Sequence, residues 1–339
     1  MSVFAFWNNK GGTGKTSLSF QTICAYADKH KGKKILAIDL CPQANLSELF
    51  FGGLIGKGGQ NLTSLYELDK RRSIGGYFQE RMRSPFSVPT LDYRDFICHP
   101  YQFNQAVSEN IDLVAGDSIV ELQTNSIATL SNTPLPGTDT WVAVIDWLND
   151  FINMTENKYD DIFIDTNPSF SVYTQIALAA ADRLVLPVMA DDSSRRAIQN
   201  AFSLIHGIKL PSDMYKEYSF AGKLRNAGRT LPLVHLIVKN RLTQYMGAAT
   251  AYNSVLNSID NDLKELLESH PNIFTFSDLS EGVVEIRDFQ TTGVVAFAEG
   301  KPFIKLRAGT HNIQGRHTQI RQDNIDHCKD AVKSLVNKL

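Results

Sequence analysis

The sequence predicts a doubly wound α/β fold, a mainly parallel sheet with helices on both faces. Three observations lead there. Apolar runs of strand length alternate with segments of helical period along most of the chain. The strands read as nearly continuous apolar stretches, as expected for strands covered on both sides. A glycine-rich turn stands directly between the first strand and the first helix.

The elements follow in order. Ser2–Trp7 is the first strand, and Asn8–Gly14 is the turn. In the next helix Phe20, Ile23, Cys24 and Ala27 recur at i, i+3, i+4 and i+7 and share one buried face. Ile35–Leu40 is the second strand. Residues 52–110 then break the pattern: Gly52-Gly53, Gly58-Gly59 and Ser84-Pro85 interrupt it and no apolar period is sustained. This stretch is expected to be an irregular elaboration inserted after the second strand, within a single domain spanning 1–339. Alternation resumes with a strand at Ile111–Ala115 and a helix face of Trp141, Val144, Ile145, Leu148 and Ile152. A strand at Asp161–Asp165, a helix at Val172–Ala181 and a strand at Leu184–Val188 come next. Ala197, Ile198, Ala201, Phe202 and Ile205 mark another helix. Leu233–Val238 is a strand, Val255–Leu267 a helix, and Ile273–Phe276 is expected as the last strand.

Composition sets bounds on function. The chain has 339 residues, 43% apolar and 21% charged, with a formal net charge of −2. That balance excludes a surface coated in positive charge, so any nucleic-acid contact must come from a local patch. Cys24, Cys41, Cys98 and Cys328 form no Cys-x-x-Cys pair and read as reduced thiols. No apolar run is long enough to span a membrane, and the first residues already read as a core strand rather than a signal peptide. A cytoplasmic protein with no stable membrane insertion is expected.

The decisive segment is Lys10-Gly11-Gly12-Thr13-Gly14-Lys15-Thr16, followed by Ser17. Backbone N–H groups of a glycine-rich turn at a helix N-terminus bind phosphate oxygens, helped by the helix dipole. Lys15 is placed to neutralise β- and γ-phosphates, and the Thr16 hydroxyl to ligate Mg²⁺. The usual first glycine of a phosphate loop is replaced by Asn9, and a second lysine, Lys10, stands directly before the glycine pair. ATP with Mg²⁺ is therefore the expected ligand. Asp39 and Asp165 each end an apolar strand, where a carboxylate is costly unless a cation or hydrogen bonds compensate.

This segment resembles the signature of the ParA/MinD family of partitioning and positioning ATPases, which carry a deviant Walker A motif on a P-loop NTPase fold. Asp39-Leu-Cys-Pro-Gln-Ala-Asn45 resembles the family's second motif. Tyr159-Asp-Asp-Ile-Phe-Ile-Asp165-Thr-Asn-Pro168-Ser resembles its Walker B strand, and Val238-Lys-Asn240-Arg the strand end set against adenine. These matches lie within Met1–Phe51 and Ile111–Leu339. The resemblance implies that Lys10 reaches the ATP of a second subunit in a sandwich homodimer. It implies catalytic roles for Lys10, Lys15 and Asp39, a Mg²⁺ site of Thr16, Asp39 and Asp165, and an Asn240 contact to the base. Asp191 or Asp192 matches the acidic position that pairs with the signature lysine.

Where the family has a second acid, this chain has Cys41. A neutral thiol is a poor acceptor for the attacking water, which implies slow basal hydrolysis, speeded by a partner. The resemblance further implies ATP-gated, sequence-independent DNA binding, nucleoid association and a cargo adaptor of ParB type. Arg225 and Arg229 lie in one basic stretch, and Arg316 and Arg321 in another. From 301 to 339 there are eight Lys/Arg against three Asp. The apolar face of 330–339 fits either a final helix packed on the sheet or a MinD-like membrane helix. The alternative functions are a slow- or non-hydrolysing scaffold or a membrane-associated positioning protein. A nitrogenase-iron-protein-like reductase is set aside, because Cys98 has no cysteine partner.

Overall fold

The computed structural model describes residues 1–189, 191–242 and 249–339, with the side chains of Asp192 and of 249–253 outside that description. Eight strands among these residues form one sheet. They are β1 (Ser2–Phe6), β2 (Ile35–Leu40), β3 (Ile97–Cys98), β4 (Ile111–Val114), β5 (Asp161–Thr166), β6 (Arg183–Met189), β7 (Leu233–Leu242) and β8 (Val283–Arg287). Their order is β3-β4-β2-β5-β1-β6-β7-β8, parallel throughout except for the antiparallel β3–β4 edge. A separate antiparallel hairpin joins β9 (Gly309–Ile313) to β10 (Arg316–Ile320).

The first helices are α1 (Lys15–Lys29), α2 (Asn45–Phe50), α3 (Gly58–Tyr66), α4 (Ile74–Arg83), α5 (Ile119–Asn132), α6 (Thr140–Ile145), α7 (Trp147–Met154) and α8 (Val172–Ala180). They are followed by α9 (Asp192–His206), α10 (Asp213–Tyr218), α11 (Phe220–Asn226), α12 (Ala249–Ser269), α13 (Leu279–Gly282), α14 (Gln290–Glu299) and α15 (Gln322–Val336). Two apolar cores flank the sheet. One gathers α4 to α9, α11 and α12; the other gathers α1 to α3, α14, α15 and the base of the hairpin. The doubly wound architecture expected from the sequence is therefore the one observed. β1 sits centrally, and the chain winds away from it in both directions, which opens a crevice at the strand carboxyl ends beside it.

Two expectations are corrected, and one open alternative is decided. Residues 52–110 are not irregular throughout, since α3 and α4 lie within them and bury Leu62, Leu65, Ile74, Tyr77 and Phe78. The segment also supplies the edge strand β3. Ile273–Phe276 is not a strand: Pro271 opens a 3₁₀ turn there, and a single bridge joins Phe274 to Val234. The last strand of the sheet is β8. Finally, the apolar face at 330–339 belongs to α15 and buries Val332, Leu335 and Val336 against α1 and β8, so it is not available to a membrane. No helix among the described residues is long and apolar enough to cross one.

Candidate functional site

The loop between β1 and α1 is shaped by two glycines. Gly12 and Gly14 have φ of +75° and +80°, which a side chain would strain. A Cβ at Gly14 would also overlap the Asn240 amide. Gly11 lies against Pro168, and Ser17 lines the cleft beyond α1's first turn. Asn8 holds the loop from within: its Nδ2 donates to Pro187 O at 2.7 Å, and its Oδ1 accepts from Lys10 N at 2.9 Å.

The two lysines occupy different places. Lys15 is buried under the loop, and its Nζ donates to the carbonyls of Asn8 (3.3 Å) and Lys10 (3.5 Å). Burial lowers its pKa, and the nearby Asp165 and Cys41 oppose that shift. Lys10 lies at the rim. Its Nζ contacts both Asp191 oxygens, at 2.6 and 2.5 Å, and donates to Ser194 Oγ at 3.0 Å. Burial alone would raise the Asp191 carboxyl. Hydrogen bonds from Lys10, Ser193 and Ser194 outweigh it and hold that group at about 2. Asp191 also caps α9 through Ser194 N at 2.7 Å. Of the two acids expected to meet Lys10, Asp191 does so, and the Asp192 side chain lies outside the described residues. Sequence reasoning missed Ser194, whose only signal is its place in the first turn of α9.

Asp39 and Asp165 face each other across β2 and β5, in register and fully buried. Asp165 accepts from Thr16 Oγ1 at 2.9 Å and from Ser19 Oγ at 2.6 Å. Asp39 accepts from Cys41 N at 3.1 Å, Ser47 N at 2.9 Å and Ser47 Oγ at 2.7 Å, and forms no ion pair with a basic side chain among the described residues. Burial raises both pKa values, and for Asp39 the neighbouring Asp165 adds to the rise. Two adjoining buried carboxylates, accompanied by the Thr16 hydroxyl and with no basic side chain hydrogen-bonded to either among the described residues, form an oxygen donor set suited to a hard divalent cation such as Mg²⁺. The Cys41 thiol stands beside them, buried and neutral, pushed up to about 12 by burial and then by Asp39 and Asp165.

Beyond the loop, a cleft of about 710 Å³ runs along α1 to α14. Phe20, Leu49, Phe289 and Phe297 give it apolar walls, and Ile313 of the hairpin reaches it. Asn240 stands at its inner end. Its Nδ2 donates to Thr13 O at 2.8 Å, while its buried Oδ1 has no hydrogen-bond partner among the described residues. The residues of α14 were not anticipated, since that stretch carries no charged signature. The arginines divide: Arg225 donates to His206 O at 3.1 Å and Arg229 pairs with Asp146 at 2.5 Å, whereas Arg316 and Arg321 are exposed. The first pair sits beside α11 on one face of the sheet and the second beside β10 and α15 on the other. They do not form one patch.

Residues 1–217 match the family described as AAA domain. The chain belongs to that family, in its ParA/MinD type. The match runs through 52–110, which the sequence motifs had left aside. A relative among ParA-type proteins is the virulence plasmid ParA family protein pGP5-D of Chlamydia trachomatis, 27% identical over 63% of this chain and 66% of that protein. The chain spans between about half and two-thirds of the length of the curated relatives it matches. The ATP complex of a Cyanothece McdA variant superposes with a TM-score of 0.60 at 14% identity, covering 99% of this chain and 96% of that one. A plasmid partition protein from Borrelia burgdorferi bound to AMPPNP gives 0.52 at 16%, covering 100% and 99%. At these identities the two structures establish a shared fold.

Proposed function

We propose that this chain is a Mg²⁺-dependent ATPase whose ATP-bound homodimer positions or partitions DNA or another large cargo. The observation that carries the reading is the pair of lysines: Lys15 buried under a glycine loop and Lys10 held at its rim by Asp191 and Ser194. Incoming phosphates would take Lys15 from the Asn8 and Lys10 carbonyls, exchanging two long neutral contacts for charge-assisted ones. Lys10 would leave Asp191 for the phosphates of a second subunit. The carboxylates of Asp39 and Asp165, with Thr16, would hold Mg²⁺, which supplies neutralisation of phosphate charge.

Asn240 supports adenine as the base. It lines the cleft, one of its two amide protons goes to Thr13 O, and its Oδ1 is an acceptor without a partner among the described residues, the kind of group that the amino group of adenine requires. Cys41 supports slow basal turnover awaiting a partner of ParB type. For sequence-independent DNA contact we favour Arg316 and Arg321, because Arg229 is held by Asp146 and the run 300–322 has no acidic residue.

The test is dimerisation by light scattering with ATP, GTP and ADP. A dimer is expected with ATP alone, and Lys10→Ala is expected to bind ATP and stay monomeric. An ATP-dependent dimer of that variant would remove Lys10 from the interface, and equal response to GTP would remove Asn240 from base selection.

A further inference from the structure

The inserted segment 52–110 closes around the loop that follows β4, and through that loop it touches Asp39. The Tyr66 hydroxyl donates to Gly116 O at 2.6 Å. On the other side of the same α-carbon, Gly116 N donates to Ser47 Oγ at 2.8 Å. Ser47 Oγ in turn donates to Asp39 Oδ2 at 2.7 Å. Because the Gly116 N–H occupies a lone pair of the serine oxygen, the serine proton is left to point at the carboxylate. A Cβ at Gly116 would stand 2.8 Å from the Asp39 carboxyl carbon, so the loop backbone itself abuts the acid.

The loop is pinned from outside by the insert. Asp117, fully buried, accepts from Arg71 at 2.5 and 2.7 Å and from Ser73 Oγ at 2.5 Å. The Arg71 guanidinium lies 4.3 Å from the centre of the Tyr66 ring, and Ile74 N donates to Ala115 O at 2.8 Å. A bidentate arginine on a buried carboxylate fixes geometry as well as charge. The whole arrangement therefore sets the position of Gly116 relative to β2.

We propose that the Tyr66–Gly116–Ser47 relay makes the inserted segment the positioning shell of Asp39, with Ser47 and Tyr66 as positioning residues for Mg²⁺-dependent nucleotide binding. The proposal rests on the reading of the site as an ATP and Mg²⁺ site. With Cys41 neutral, Asp39 is the one carboxylate at the end of β2, and all three donors it accepts come from Cys41 and Ser47. Its orientation is set by neutral groups, and the outermost of them belongs to the insert.

The experiment measures binding of a fluorescent ATP analogue against Mg²⁺ concentration, with thermal unfolding in parallel, for wild type, Tyr66→Phe, Ser47→Ala and Ser47→Thr. Tyr66→Phe removes one oxygen and keeps the ring under Arg71, so the fold is retained. In EDTA all four are expected to bind alike. The Mg²⁺ needed for half-maximal enhancement is expected to rise about 10-fold in Ser47→Ala and by a smaller factor in Tyr66→Phe, with Ser47→Thr near wild type. An unchanged Mg²⁺ titration in both Tyr66→Phe and Ser47→Ala, whatever their melting temperatures, would overturn the proposal alone. A wild type whose nucleotide binding ignores Mg²⁺ would overturn the site reading and the proposal with it.

Discussion

Cys41 shows what one residue can decide. Its neighbours Asp39, Pro42 and Gln43 keep the pattern of the second motif, yet the thiol is buried and held neutral beside two carboxylates. Orientation of one water by an acid is worth ~10²–10⁴ in rate. Cys41→Asp is therefore expected to raise single-turnover hydrolysis at saturating ATP without changing ATP affinity, since the group acts on water rather than on the bound nucleotide. A third carboxylate beside Asp39 and Asp165 should also lower the stability of the nucleotide-free protein, and thermal unfolding with and without Mg²⁺–ATP reads that effect. A wild type already as fast as the variant would mean that Cys41 only fills space. Most residues of the site could be read from the sequence because short motifs carry them: Lys10, Lys15, Thr16, Asp39 and Asp165 all converge on one strand-end crevice. Ser47 and Ser194 could not, because a serine near a helix start is an ordinary cap and nothing in the chain says which carboxylate it serves.

Among the elements, α4 explains why the inserted segment resisted a reading by periodicity. Ile74, Tyr77, Phe78 and Arg81 do follow i, i+3, i+4 and i+7, but two glycines occupy the first turn and the fourth inward position is an arginine. Arg81 is buried because it pairs with Asp150 at 2.7 Å and lies over the Trp147 ring, partners that are distant in sequence. β8 was missed for a related reason, since an edge strand with only Val284 and Ile286 fully inward gives too few alternations to count. The last helix was foreseen, and its two possible roles make different predictions. Leu335 is fully buried, so Leu335→Ala should cost about 2–5 kcal/mol in urea unfolding. Wild type should show no binding to anionic vesicles in a sedimentation assay, with or without ATP. Vesicle binding, with an unfolding midpoint unmoved by the substitution, would return α15 to the membrane reading.

For the molecule as a whole, a buried histidine and a half-buried one set a lower pH limit. Among the described residues His206 has no hydrogen-bond partner at either ring nitrogen, and burial, with Arg225 and His270 nearby, lowers its pKa to about 4. Burial, then Arg183, lowers that of His235 to about 4 as well. Both are neutral in the folded chain, while the unfolded chain takes up protons below about 6.5. Their contribution is complete above that pH and is lost as pH falls toward 4, at up to about 1.4 kcal/mol per pH unit for His206 and less for the half-buried His235, which solvent screens. The raised Asp39 and Asp165 act in the opposite sense over part of the same window, so the variant difference is the informative quantity. His206→Phe should lose less stability than wild type between pH 7 and pH 5 in urea titrations, and equal losses would show that His206 takes up its proton without penalty. The 710 Å³ cleft has a different consequence. Its walls come from residues 14–21 and from residues as late as Phe303 and Ile313, and Gln21 is tied to Phe303 N at 2.7 Å. During synthesis the glycine loop leaves the ribosome long before Phe303 and Ile313 do, so its pocket waits for its far wall. A nascent molecule thus carries its most recognisable motif without the far wall of the cleft until Phe303 and Ile313 have been made, and the ligand's stabilising pull on the fold acts only after that.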